Sequence, residues 1–153
     1  MKAVVQRVTS SAVAVDGETI GKIGKGYTVL LGVFPDDTRK DAEILAAKIA
    51  KLRIFEDGDG KMNMSILDVD GEVLAISQFT LCADIKKGNR PSFTTAAKPD
   101  YANELYEYFM EQLKANGIRR VEHGSFGADM KVEIHNDGPV TIIMDTTIWN
   151  KRD

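Results

Sequence analysis

Two short segments hold the polar residues best placed to do chemistry. Ser77-Gln78-Phe79-Thr80-Leu81 closes the apolar run Val73-Leu74-Ala75-Ile76 with a Ser, a Gln and a Thr before apolar character resumes. Asn136-Asp137-Gly138-Pro139-Val140-Thr141 places a Gly-Pro pair just ahead of the apolar run Val140 to Met144. A strand that ends at a pocket in hydroxyls and free N–H groups can donate to a carbonyl oxygen, where charge builds during attack. A Thr without a neighbouring base is a poor nucleophile at neutral pH, so positioning and oxyanion stabilisation suit Thr80 better than covalent attack. The plain alternative is that Thr80 is a β-branched strand residue and Ser77 a strand-end hydroxyl. In the second segment, a cis Gly138-Pro139 bond would aim two consecutive carbonyls one way. Such a pair suits an α-ammonium group and could exclude the wrong enantiomer by clash. Only about 5–6% of X-Pro bonds in folded proteins are cis, so a trans turn is the default.

Other chemistries lack their residues. His123 and His135 have no Ser or Cys partner at motif spacing, and both read as isolated surface or core histidines. No G-x-S-x-G elbow appears, no Cys/His set has zinc spacing, and no G-x-x-x-x-G-K-[ST] loop offers a phosphate cradle. Asp57-Gly58-Asp59-Gly60 has the Asp spacing of a calcium loop, but the closing position is Asp68 where a Glu is required. No metal and no cofactor are expected.

The elements that must position the two segments follow from periodicity. Val4, Gln6 and Val8 alternate with Val5, Arg7 and Thr9, and Ala12 to Val15 continues the strand pattern to a hairpin turn at Asp16-Gly17. Lys22 to Gly26 reads as the next turn. Tyr27 to Val33 is apolar on both faces, as a central strand should be. Asp36, Asp37 and Thr38 supply N-cap residues for a helix whose apolar face is Ala42, Leu45, Ala46, Ile49 and Leu52. Asp70-Gly71 turns the chain into a strand over Glu72 to Leu81, and Ala83 to Ala97 is a polar loop of a length that is often functional. Pro99 opens a second helix with Tyr101, Leu105, Tyr108, Phe109 and Leu113 on its apolar face, stopped by Gly117. Two strands, Lys131 to His135 and Val140 to Met144, complete the chain on either side of the Asn-Asp-Gly-Pro corner. Many strands with two segregated amphipathic helices predict an α+β domain on a largely antiparallel sheet.

The 153 residues fit one domain, 1–153, with 43% apolar and 28% charged residues, the balance of a soluble globular protein. No apolar run approaches the roughly 20 residues needed to span a bilayer. The lone Cys82 cannot form an internal disulfide, which suits a reducing cytosol. The net charge of −3 weighs against nucleic acid, whose binding usually leaves a basic footprint. Cations do gather locally, as Lys86, Lys87 and Arg90 in the long loop and as Arg119-Arg120 after the second helix. The alternatives at these clusters are a local phosphate-binding patch and a merely solvated loop.

The two segments, in this order and in a chain of this length, resemble the signature motifs of the D-aminoacyl-tRNA deacylases, also called D-tyrosyl-tRNA deacylases. Met1 to Val8, Gly88-Asn89-Arg90-Pro91-Ser92-Phe93 and Phe126-Gly127-Ala128-Asp129-Met130 extend the resemblance over nearly the whole chain. It implies a compact β-barrel-like fold that works as a cytoplasmic homodimer, without cofactor or membrane. Ser77, Gln78, Phe79 and Thr80 would lie at the base of the pocket. Gly138 and Pro139 would enter it from the partner subunit, bordered by Arg7 and Met130. The reaction implied is hydrolysis of the ester at the acceptor end of D-aminoacyl-tRNA, and of glycine mischarged on tRNA, with L-aminoacyl-tRNA rejected by a Gly-cisPro motif. Lys86, Lys87 and Arg90 would then bind tRNA. The resemblance allows Thr80 to be a nucleophile or to stand beside water activated by the 2′-OH of the terminal adenosine; the chemistry of an unassisted Thr favours the second. A non-catalytic binding module and a general acyl esterase are the competing readings.

Overall fold

The computed structural model describes residues 1–149. β1 (Lys2–Val15) is the axis of the molecule. β2 (Glu18–Ile23) returns from it through the Asp16-Gly17 turn, and β3 (Gly26–Gly32) pairs with its first half, both antiparallel. β6 (Glu72–Ser77) lies parallel to β3, and β7 (Val121–His123) parallel to β6. β8 (Lys131–Asp145) runs antiparallel to β1 along nearly its whole length, so the sheet curls around β1 toward a barrel. A two-stranded hairpin, β4 (Phe55–Glu56) with β5 (Met62–Met64), stands apart.

The class is α+β with two helices and a barrel-like sheet, and that sheet is mixed. The parallel pairs have a simple cause: a parallel connection needs a long crossover, usually helical. α1 (Arg39–Lys51) crosses from β3 toward β6 and α2 (Pro99–Ala115) from β6 toward β7. Both helices pack on one face of the sheet. Ala42, Leu45, Ala46 and Ile49 from α1, with Leu105, Tyr106, Phe109 and Leu113 from α2, close over Val5, Tyr27, Val29, Val73 and Ala75. Tyr106 occupies the core position expected of Tyr108, and its hydroxyl donates to the Ala75 carbonyl at 2.6 Å. A smaller second core, Val8, Val13, Ile23, Leu74 and Ile76, fills the concave face on the other side, flanked by Met130, Val132 and Ile134.

Thr38 is the N-cap of α1, its N–H donating to the Asp41 carboxylate at 2.8 Å. Asp37 does something the sequence did not announce. Its carboxylate pairs with the buried ammonium of Met1 at 2.6 Å and accepts from the Phe34 N–H at 2.7 Å. The same ammonium donates to Thr146 Oγ1 at 3.0 Å, and that hydroxyl donates to Asp41 at 2.8 Å. A buried charge survives only when paired and hydrogen-bonded, and here the start of β1, the end of β8 and α1 share one polar knot.

Two expected boundaries move. β6 stops at Ser77, where a strand to Leu81 was expected, and Phe79–Cys82 is a 3-10 turn. β8 carries on through the Gly138-Pro139 corner that was expected to divide two strands. The corner is accommodated as a bulge: Gln6 faces Thr141 and Val8 faces Asn136, so Arg7 alone on β1 opposes Asp137, Gly138, Pro139 and Val140 on β8.

Candidate active site

The parallel ladder delivers Ser77 to the rim of a cleft. Gln78 extends the ladder by one bond, its N–H donating to the Leu31 carbonyl at 2.7 Å, and the chain then coils into the 3-10 turn. That coil rests on Gly32 of β3, where a Cβ would stand 3.0 Å from Leu81 Cβ and 3.1 Å from Cys82 Sγ. A larger residue at 32 would push the turn, and with it the end of β6, away from the sheet. Cys82 itself is buried, and desolvation holds its thiol above the usual range, which makes it a poor nucleophile.

The cleft has a volume of about 610 Å³. Ser77, Gln78 and Phe79 form one wall, the stretch from Phe93 through Lys98 into α2 another, and Phe126 to Met130 a third. Phe79 is 55% exposed and meets Phe93 edge-on, with ring centroids 5.2 Å apart. Phe126 sits 6.3 Å from Tyr106, whose burial raises its phenol far above the usual range. The surface so formed is mostly apolar, with a few hydroxyl and amide groups, the make-up of a small-molecule site. Thr80 is exposed and is not on the cleft wall; its Oγ1 accepts a hydrogen bond from Gln78 Nε2.

The second segment lies elsewhere on the chain. Gly138-Pro139 is exposed, its peptide bond is cis, and neither residue lines the cleft. Arg7 braces it from below. This guanidinium is only 4% exposed, and it donates to the Ile54 carbonyl at 2.6 Å and the Asp137 carbonyl at 3.0 Å, with the Asp137 carboxylate 3.5 Å away. Its planar fork is suited to joining two carbonyls in fixed directions. Gly138 has φ +125°, and a Cβ there would lie 3.1 Å from Arg7 Nη2 and 3.0 Å from Val140 Cγ2. The corner is thus held against a rigid post, in a conformation that an L side chain rarely adopts.

Within one chain, then, Ser77, Gln78, Phe79 and Met130 come together, and Arg7, Gly138 and Pro139 form a second group. Met130, expected beside Gly138, sits in the cleft, its sulfur close over Gly124, where a Cβ would be 2.4 Å away. Lys86, Lys87 and Arg90 lie exposed at the tip of the long loop, beyond the Asp84–Ser92 bridge, while the base of the same loop lines the cleft. The loop is ordered by its own bonds, with Asp84 and Ser92 exchanging hydrogen bonds of 2.8 and 2.9 Å and the Ala97 N–H donating to Val33 at 2.9 Å. Phe93, Thr94, Lys98, Ala102 and Phe126 were not singled out from the sequence as site residues. Only the resemblance of Gly88–Phe93 and Phe126–Met130 to the family's segments pointed to part of that wall. Among the described residues no cluster of three or more His, Cys, Asp or Glu could hold a metal ion. The Asp57 carboxylate is taken by the N–H groups of Asp59 and Lys61, the latter being the main cause of its lowered pKa. His123 and His135 are both exposed, the first with Nδ1 2.7 Å from its neighbour's carbonyl.

The chain is similar to known proteins along nearly its whole length. The family model for D-Tyr-tRNA(Tyr) deacylase matches residues 4–145. The chain is 56% identical to a D-aminoacyl-tRNA deacylase of Fervidobacterium nodosum over 146 residues, 95% of this chain and 97% of that protein. It is equally identical to one of Bacillus cereus, covering 95% and 99%. A solved structure described as c-Myc DNA Unwinding Element Binding Protein superposes with TM-score 0.89 at 48% identity, over 95% of this chain and 98% of that one. Another, described as a probable eukaryotic D-amino acid tRNA deacylase, shares the fold with TM-score 0.80 at 17% identity, over 94% and 97%.

Proposed function

The chain belongs to the D-Tyr-tRNA(Tyr) deacylase family, and from that premise we propose how it hydrolyses the ester of D-aminoacyl-tRNA. The terminal aminoacyl-adenosine enters the cleft between Ser77–Phe79 and Phe126–Met130. Water attacks the ester carbonyl, the bond from that carbon to the ribose oxygen breaks, and the proton passes to the ribose oxygen. The products are a free D-amino acid and tRNA. Thr80 stands outside the cleft wall of its own chain, and from the rim its hydroxyl, held by the Gln78 amide, positions the ester or the water, while the 2′-OH of the terminal adenosine assists the attack. Gly138-Pro139 reaches the cleft from a second copy of the chain and presents its carbonyls to the α-ammonium group. An L-residue in the same pose would drive its side chain into fixed backbone, whereas glycine, with no side chain, is accepted. Lys86, Lys87 and Arg90 hold the tRNA near its acceptor end, and the reaction takes place in the cytoplasm.

The observation that carries the two-subunit reading is the distance of roles along one chain. The corner is braced by a buried arginine as if to meet something, yet it is exposed and no part of its own cleft. The adjacent sheet surface also invites a partner: Ile143, two residues past Thr141, is 69% exposed beside half-buried Val4 and Leu30 on the neighbouring strands.

The test is to incubate the purified protein with D-Tyr-tRNA and L-Tyr-tRNA and follow release of tyrosine, while measuring mass in solution. Rapid loss of the D-ester alone, from a dimer, is the expected result. Equal rates for the two enantiomers would sink the chiral filter, and an active monomer would sink the cross-subunit site. The neighbour named for binding a DNA element favours one rival, a nucleic-acid-binding module, which would bind tRNA in this assay without releasing tyrosine.

A further inference from the structure

We infer that Lys98 binds the phosphate that leads into the terminal nucleotide of the substrate, and so sets which way the substrate lies in the cleft. This rests on the deacylase reading above. Lys98 is the one ionisable side chain among the described residues of the cleft wall. The end of an aminoacyl-tRNA brings two formal charges to such a site: the α-ammonium of the amino acid and the phosphate on the 5′ side of the terminal ribose. Lys98 attracts the second and repels the first. The ester therefore lies with its ammonium toward the Ser77–Phe79 wall and its phosphate toward the start of α2.

The position of Lys98 argues independently that it is not there for the helix. It is the N-cap of α2, with φ −61° and ψ 146°, and it makes no capping bond with its side chain. Ser, Thr, Asp and Asn are the residues that stabilise this position. A cation there also faces the positive end of the helix dipole. No ion pair joins Lys98 to a carboxylate among the described residues. Pro99 at N1 and Asp100 in the first turn support the helix start, so it does not depend on the lysine, and a residue that breaks the local rule is expected where it serves a ligand.

The substitution Lys98→Ser separates the two roles because it should move them in opposite directions. A proper cap raises Tm, while loss of the phosphate contact weakens the tRNA substrate. Two D-tyrosyl esters serve as probes, one on tRNA and one on adenosine that carries no phosphate. For the tRNA ester, KM should rise roughly fivefold at low ionic strength, and its salt slope should fall by about 0.7, the value of one phosphate contact on a single strand. The preference for the tRNA ester over the adenosine ester should fall by the same roughly fivefold factor, and Lys98→Arg should restore most of it. A preference equal to wild type, or a KM that rises alike for both esters, overturns the inference. A wild-type protein inert on both esters overturns the deacylase reading and takes this inference with it. An active wild type with an indifferent Lys98 overturns the inference alone.

Discussion

Replacing Gly138 by Ala tests the corner directly, because everything around that one hydrogen is fixed. At φ +125° an L-residue sits outside its usual conformations, at a cost of roughly 1–3 kcal/mol. The new methyl would also stand 3.1 Å from Arg7 Nη2, so the guanidinium must give way by a few tenths of an ångström. It cannot do so freely, since its bonds to Ile54 at 2.6 Å and Asp137 at 3.0 Å pin it. Weakening one of them adds about 1 kcal/mol. The sum, roughly 2–4 kcal/mol, is less than the 5–15 kcal/mol that usually holds a domain together, so the variant remains folded. At about 2–4 °C per kcal/mol for a domain of this size, thermal unfolding should drop by roughly 5–15 °C. Activity should suffer more than stability. A shift of about 1 Å in a positioning group can cost roughly 100-fold, and the corner is proposed to touch the substrate ammonium. The assay is calorimetry beside kcat/KM on D-Tyr-tRNA. A variant with wild-type Tm would refute the account of Arg7 as a rigid post. One that unfolds earlier yet turns over D-Tyr-tRNA at the wild-type rate would refute the placing of the corner in the partner's site.

Three other substitutions probe separate parts of the argument. Thr80→Ser should retain most of the activity and Thr80→Ala should slow release without abolishing it; a loss near the roughly 10⁶-fold that follows removal of a covalent nucleophile, or a trapped acyl group on Thr80, would decide for direct attack. Replacing Lys86, Lys87 and Arg90 together by Ala should weaken tRNA binding and lower its salt slope by about 2, at about 0.7 per contact, and an unchanged slope would make the loop tip a solvated surface. Asp37→Asn leaves the buried Met1 ammonium without its counter-charge, and removing one partner of such a pair typically costs about 3–5 kcal/mol. Unfolding midpoints in urea should show that loss, and an unchanged midpoint would mean that Thr146 alone suffices to hold the ammonium.

What could be read from the sequence, and what could not, divides along the range of the interactions. Alternation in Val4 to Val8, the apolar face Ala42-Leu45-Ala46-Ile49 and Pro99 at the head of a helix are local signals, and each appears where expected. The elements that local pattern did not reveal are those made by tertiary contact. β7 is three residues long and exists because it finds an edge on β6, and the β4–β5 hairpin is held by a few pairings. The strand expected to reach Leu81 ends at Ser77 because Gly32 lets the chain coil onto β3, a long-range approach with no periodic trace. Asp37 looked like a helix cap because its partner, the ammonium of Met1, is 36 residues away. The candidate site obeys the same division. The hydroxyl cluster and the Gly-Pro pair stand out as composition, but their meaning depends on Arg7, which is 130 residues from the Asp137 carbonyl that it holds. If the partner's corner completes the cleft, the most important contact of all is between chains, and no pattern along a single sequence encodes it. The bulge itself is equally long-range: four residues of β8 stand opposite the single Arg7 of β1, and its almost wholly buried guanidinium holds the Asp137 carbonyl at 3.0 Å.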